Sequence, residues 1–288
     1  MNKITLLAHG KINLSLDIVG LREDGYHLMD MVMQSVGLTD RVTLRRAENI
    51  SVIADSNIPT DERNTAIKAA RVFFEATGLT GGCEITIEKR IPQQAGMGGG
   101  SADAAAVLIG LDQLYDTDLS TEALLEMGLK VGADVPFCLV GGTALVQGIG
   151  ERVTSVRPMP DCHILLVKPP FGISTGAAFK RFDEVGVKVH PDNPALMGAM
   201  EIADFSSMNK AMANVMEESA ASTEIEAIRR RLYGLGAAAA LMTGSGSVVF
   251  GLFTDKGQAC AAAQAISDAG EIFLTIPVRT GVEVIELD

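Results

Sequence analysis

The chain is 288 residues long and 47% hydrophobic, enough for one large domain or, on length, two, and too apolar for a disordered chain. Its 24 basic and 36 acidic residues give a net charge of −12 with no Lys/Arg cluster, which argues against nucleic acid and anionic membranes as partners but allows a small anionic ligand at a locally positive site. Cys83, Cys138, Cys162 and Cys260 show no CxxC spacing, so neither a disulfide framework nor a zinc site is expected, and the thiols indicate a reducing compartment.

In MNKITLLAHGK the apolar run before His9 and Lys11 is too short for a signal peptide, and the expected location is the cytoplasm. The segments KINLSLDIVG, RVTLRR, ISVIA, CEITIEKRI and GTALVQGI have the β-branched content and partial alternation of strands, with hairpin chemistry at Asp24-Gly25. NTAIKAARVFFEATG puts Ile67, Ala70 and Phe74 on one helical face and stops at Gly78, so the first half reads as α+β. The two prolines of SVRPMPDC mark a linker and divide the chain into 1–157 and 158–288. Beyond it come a strand at HILLVKPP, helices between 175 and 235, a strand at SVVFGLF, a helix at 257–269, and strands at IFLTIPV and GVEVIEL, a smaller helix-on-sheet layer. Residues 234–253 are uncharged, but TGSG interrupts them, and they are expected as helix, turn and strand rather than a membrane span.

PQQAGMGGGSADAAAVL, residues 92–108, joins the alternating strand 84–91 to a helix with Ala104, Leu108, Leu111 and Tyr115 on one face. A glycine-rich turn running into a helix start, with Ser101 as the expected N-cap, presents unpaired N–H groups and the positive end of the helix dipole to an anion such as phosphate. A tight turn with no ligand is the plainer alternative. GxxxxGK[ST] is missing, and Ser101 stands where a dinucleotide loop needs a small third residue.

The loop and two distant segments together resemble the GHMP small-molecule kinases. The family's loop, P-x-x-x-G-(L/M)-G-(G/S)-(G/S)-S, is met by Pro92, Gly96, Met97, Gly98, Gly99, Gly100 and Ser101, while GKINLSLD and MTGSGSVVF supply its other two motifs in the same order. GLREDGYHLMDMVMQSVGLTDRV and GADVPF further resemble the 4-diphosphocytidyl-2-C-methyl-D-erythritol kinases, DGYH being the distinguishing mark; the likeness thins in the second half. The resemblance implies two α+β domains, a ribosomal-protein-like N-terminal domain with a left-handed β-α-β crossover that binds ATP and a ferredoxin-like C-terminal domain, with the active site between them. It implies ATP with Mg²⁺ and, as substrate, a cytidine-diphosphate-linked sugar alcohol phosphorylated on its 2-hydroxyl. It assigns the nucleotide to Gln93, Gln94, Ala95, Gly96, Met97, Gly98, Gly99, Gly100, Ser101, Ala102 and Asp103 with Gly244 and Ser245, and the adenine pocket to the surroundings of Asn64. Lys11 and Asp134 become the catalytic pair, and Tyr26, His27 and Phe179 the clamp on cytosine, with Asn13 and Thr175 nearby. His9-Gly10 replaces the usual Pro-Ala before the lysine, and Ala102 a frequent second serine.

Phosphoryl transfer to an alcohol needs positioning, charge neutralisation and a proton acceptor. Asp134 follows Gly132 at the expected end of the helix STEALLEMGLKV, where the dipole disfavours a carboxylate by about 0.3–1 kcal/mol, a cost that points to function; an Asx-turn before Pro136 is the alternative. Lys11 could pair with Asp134, although a lone lysine is ordinarily a solvated charge. Mg²⁺ needs few carboxylates, so no dedicated protein ligand is expected; Ser101 is a candidate contact, and Asp103 either faces solvent or assists the metal. Tyr26 and His27 fit either strand packing or a stacking face with a hydrogen-bonding imidazole. Competing functions are a related kinase for another small alcohol, against which DGYH speaks, and a non-catalytic nucleotide- or metabolite-binding regulator, against which the intact Lys11, Asp134 and loop speak.

Overall fold

The computed structural model describes residues 2–56 and 58–288. Two long strands, β1 (Lys3–Leu21) and β2 (His27–Ala47), pair antiparallel through the expected hairpin, where Gly25 takes a φ of 87°. Their register shifts between His9 and Lys11, Asn13 and Ser15, and Ile18 and Gly20. Such bulges twist a strand and re-aim its side chains, here on both sides of Lys11 and Asn13.

Strands β3 (Ser51–Ala54) and β4 (Gly82–Glu88) are parallel and joined through α1 (Thr65–Thr77), which Asn64 caps and Gly78 ends in a left-handed conformation. Ile67, Ala70 and Phe74 are buried, as their spacing predicts. Then come α2 (Gly99–Tyr115), α3 (Thr121–Val131), α4 (Val135–Val140), β5 (Thr143–Gly148) and β6 (Arg152–Ser155), with β4 and β5 on successive stretches of β2. The alanines of α2 let it lie close on the sheet: a Cβ at Gly110 would stand 2.9 Å from a Leu6 methyl.

The chain passes to a second sheet between Ser155 and His163, across the proline segment. After β7 (His163–Lys168) follow α5 (Thr175–Val185), α6 (Asn193–Glu201), α7 (Phe205–Ala211), α8 (Val215–Ala220) and α9 (Thr223–Gly234). Next are β8 (Ala239–Met242), β9 (Val249–Phe253), α10 (Lys256–Ala265) and β10 (Glu271–Thr275). The order β10-β7-β9-β8 is antiparallel throughout and sets the first and last strands side by side, the layout a ferredoxin-like layer has.

Two expectations are corrected. Residues 234–253 hold two strands and a turn, not a helix and a strand, because pairing of Ala239 and Ala240 with β9 overrides alanine's helical preference. GVEVIEL forms β11 (Val282–Leu287) in the first sheet, not the second, with Ile4 opposite Leu287 and Ala8 opposite Val282. Alternation marks a strand but not its neighbour. Among the described residues no helix is long and apolar enough to cross a membrane.

Candidate functional site

The sheets meet along a cleft of about 830 Å³ lined by Lys11 and Asn13, which lie two residues apart on one face of β1. Lys11 Nζ donates to Asn13 Oδ1 at 2.8 Å and stands 3.3 Å from Asp134 Oδ2. Lys11 is buried, whereas Asp134 is 32% exposed, so the carboxylate is the member of the pair that a ligand can reach. Asp134 occupies the N-cap of α4 without making a capping bond. α3 ends at Gly132 as expected, but the start of α4 falls on Asp134 and offsets the expected dipole cost; the carboxylate turns to Lys11 instead of to the free N–H groups of α4.

Gly98, with a φ of 67°, is the N-cap of α2, and the helix begins at Gly99. Ser101 is consequently not the cap; it is the third helical residue, with its side chain on the cleft. The first intrahelical bond runs from the Ala102 N–H to Gly98 O at 2.8 Å, which leaves the N–H groups of Gly99, Gly100 and Ser101 at the open, positive end of the helix. Residues Gln93, Gln94, Ala95, Gly96, Met97, Gly98, Gly99 and Gly100 also line the cleft. Ala102 does not: its side chain is buried and its N–H is bonded.

Three bonds pin this loop. The Lys11 N–H donates to Met97 O at 3.0 Å, the Val248 N–H to Ala95 O at 3.2 Å, and Thr243 Oγ1 to Gly96 O at 3.2 Å. Thr243 Oγ1 also accepts the Asn13 N–H at 3.0 Å, so one hydroxyl ties β1, the loop and the turn after β8. Gly244 and Ser245 face the cleft from that turn, Ser245 Oγ lying 3.1 Å from Thr175 Oγ1. At Gly96, φ is 73° and a Cβ would run into the Thr243 carbonyl oxygen. Gly96→Ala is therefore expected to destabilise the junction by about 1–3 kcal/mol, read as a lower midpoint in thermal unfolding.

Asp103 lies at the cleft but is buried rather than turned to solvent. Its Oδ2 lies 2.8 Å from Lys89 Nζ, which also contacts Asp40, and all three side chains are buried. Asp40 Oδ1 further accepts the N–H groups of Arg90 at 2.6 Å and Ile91 at 2.9 Å, fixing the chain as it leaves β4 for the loop. Burial pushes the Asp103 carboxyl up against the pull of Lys89; the lysine, despite its own burial, is held above its ordinary value by the two carboxylates. Asn64 lines the cleft with its side chain already engaged, accepting the Ala66 N–H and donating to Pro59 O at 2.6 Å. His9, one of the departures from the family pattern, is buried with Nδ1 3.1 Å from Val36 O, and burial lowers its pKa.

Tyr26, His27, Thr175 and Phe179 also line the cleft, and Tyr26 is 61% exposed. His27 stacks directly on Phe179, ring centroids 4.7 Å apart. A base is thus not held between those two rings, and the exposed Tyr26 ring is an aromatic face open at the cleft. Among the described residues, no three His, Cys, Asp or Glu side chains gather as a metal site.

The family model described as GHMP kinases N terminal domain matches residues 64–142, and that described as GHMP kinases C terminal matches 196–272. The 4-diphosphocytidyl-2-C-methyl-D-erythritol kinase of Lachnospira eligens is 40% identical over 94% of this chain and 96% of its own. That of Carboxydothermus hydrogenoformans is 42% identical over 96% and 97%. A crystal structure of 4-(cytidine 5'-diphospho)-2C-methyl-D-erythritol kinase superposes with a TM-score of 0.81 at 31% identity, over 95% of this chain and 99% of that one. With both family models matched and such identity sustained along nearly the whole length, the chain belongs to the GHMP kinases, in the 4-diphosphocytidyl-2-C-methyl-D-erythritol kinase family.

Proposed function

We propose that this chain transfers the γ-phosphoryl group of ATP to the 2-hydroxyl of 4-diphosphocytidyl-2-C-methyl-D-erythritol. The observation that carries this is the Lys11–Asp134 pair, 3.3 Å apart in the cleft that also holds the open end of α2 and the exposed Tyr26 ring. The three N–H groups of Gly99, Gly100 and Ser101 bind phosphate oxygens, and the dipole of a 17-residue helix adds to them. Mg²⁺ bound with ATP would supply further neutralisation of phosphate charge; with Asp103 Oδ2 paired to Lys89, the Ser101 hydroxyl at the cleft is the protein group that would hold it. Asp134 accepts the hydroxyl proton as the substrate oxygen bonds to the γ-phosphorus and the bond to the β–γ bridging oxygen breaks, releasing ADP. Lys11, oriented by Asn13, polarises the acceptor oxygen. Both substrates are polar small molecules, and we place the reaction in the cytoplasm, with no nucleic-acid or membrane partner.

A coupled ADP-release assay with this substrate, mevalonate and homoserine in parallel is the test. Turnover with the cytidylyl compound alone supports the reading; turnover only with another alcohol keeps the family and rejects the substrate; none with any rejects catalysis. Tyr26→Ala is expected to raise KM for the cytidylyl substrate by about tenfold, the worth of one lost stacking contact, with KM for ATP unchanged. A larger change in KM for ATP would put Tyr26 outside the substrate end of the cleft.

A further inference from the structure

His27 is held on three sides by one face of α5. Phe179 stacks on its ring at 4.7 Å and an interplanar angle of 23°, Phe182 meets it edge-on at 6.1 Å, and Asp183 Oδ1 lies 2.7 Å from Nε2. These residues fall at i, i+3 and i+4, one turn of the helix, so they act on the ring together. His27 and Phe179 line the cleft, whereas Phe182 and Asp183 do not. The Nε2 edge therefore points away from the cleft, and Nδ1 is the ring nitrogen left for a ligand.

We infer that Asp183 is a positioning residue that makes the site select an aminopyrimidine over an oxopyrimidine. A carboxylate only accepts hydrogen bonds, so Nε2 carries the proton, and in the neutral ring Nδ1 is then an acceptor. Cytosine presents an exocyclic amine, a donor, where uracil presents a carbonyl oxygen, a second acceptor. Two acceptors facing each other leave a buried polar pair unsatisfied, which is how a site built for one hydrogen bond rejects the analogue that lacks it. The inference rests on the cytidylyl substrate proposed above and adds the group that enforces the choice of base.

Two measurements test it. In the ¹⁵N-labelled protein, the His27 ring is expected to show Nε2 protonated and Nδ1 bare, and Asp183→Asn, whose amide can donate as well as accept, is expected to yield a mixture of tautomers. Protonated Nδ1 in the unaltered protein overturns the inference whether or not the enzyme turns over. In kinetics, Asp183→Asn is expected to cut the preference in kcat/KM for the cytidylyl substrate over its uridylyl analogue by about tenfold, one hydrogen bond's worth, with Asp183→Glu restoring it. If both substrates weaken equally and the preference stands, Asp183 merely supports α5 and the inference fails. If the unaltered protein turns over neither, the substrate assignment is what fails, and the ring spectrum still decides the tautomer.

Discussion

Asp134→Asn is expected to lower kcat by roughly 10²–10⁴-fold while leaving KM for ATP within about twofold. The amide keeps the shape of the carboxylate but cannot take a proton from the acceptor hydroxyl. Asp134 makes no capping bond to α4 and is partly exposed, and although the buried Lys11 loses its carboxylate it keeps Asn13 Oδ1 and can turn to the new amide oxygen, so the thermal midpoint should fall less than for the fully buried Lys89 group below. Steady-state kinetics beside thermal unfolding separate the two effects. An unchanged kcat would remove Asp134 from the mechanism, and a collapsed midpoint would make it structural.

Lys89→Met should have the largest effect on stability. It strips the shared cation from Asp40 and Asp103, both buried. An uncompensated buried charge costs about 3–5 kcal/mol, which for a chain of this size lowers the thermal midpoint by on the order of 10 °C. Asp103→Asn should cost much less, because Lys89 keeps Asp40 and the amide can stay in place. Since Asp40 also holds the Arg90 and Ile91 N–H groups, the Lys89 variant should loosen the loop, and KM for ATP should rise more than KM for the alcohol. Equal midpoints for the two variants would show that the three groups do not act as a unit.

The two substitutions mark where the chain can be read from its residues and where it cannot. Strand alternation, the α1 face of Ile67, Ala70 and Phe74 and the glycine loop are local, and local periodicity carries them. Lys11, Asn13, Asp134 and the loop are recognisable as motifs, and the folded chain brings them into one cleft. The Asp40–Lys89–Asp103 group had no such signal: each residue looks like a charge at the end of an element, and only the pairing of β2 with β4 and the packing of α2 join them. Thr243 carries no such signal for the same reason: it follows β8 of the second sheet, and its hydroxyl's partners come from β1 and the loop. Ser101 misled because serine is a good N-cap in isolation, while Gly98 reached the left-handed conformation that starts the helix earlier. The last strand misled because a two-residue period cannot say which edge it will join.

That last strand also orders events during synthesis. β1 is made long before residues 282–287, which cover one of its edges, with the Asn2 N–H bonded to Asp288 O at 2.8 Å. Until residues 282–287 are made, the strand that carries Lys11 and Asn13 has an open row of backbone donors and acceptors, the kind of edge to which another nascent chain can add. Everything between, the whole second sheet included, is made while that edge waits. A stop codon before residue 282 would thus release a chain with the residues of the cleft and an unclosed first sheet.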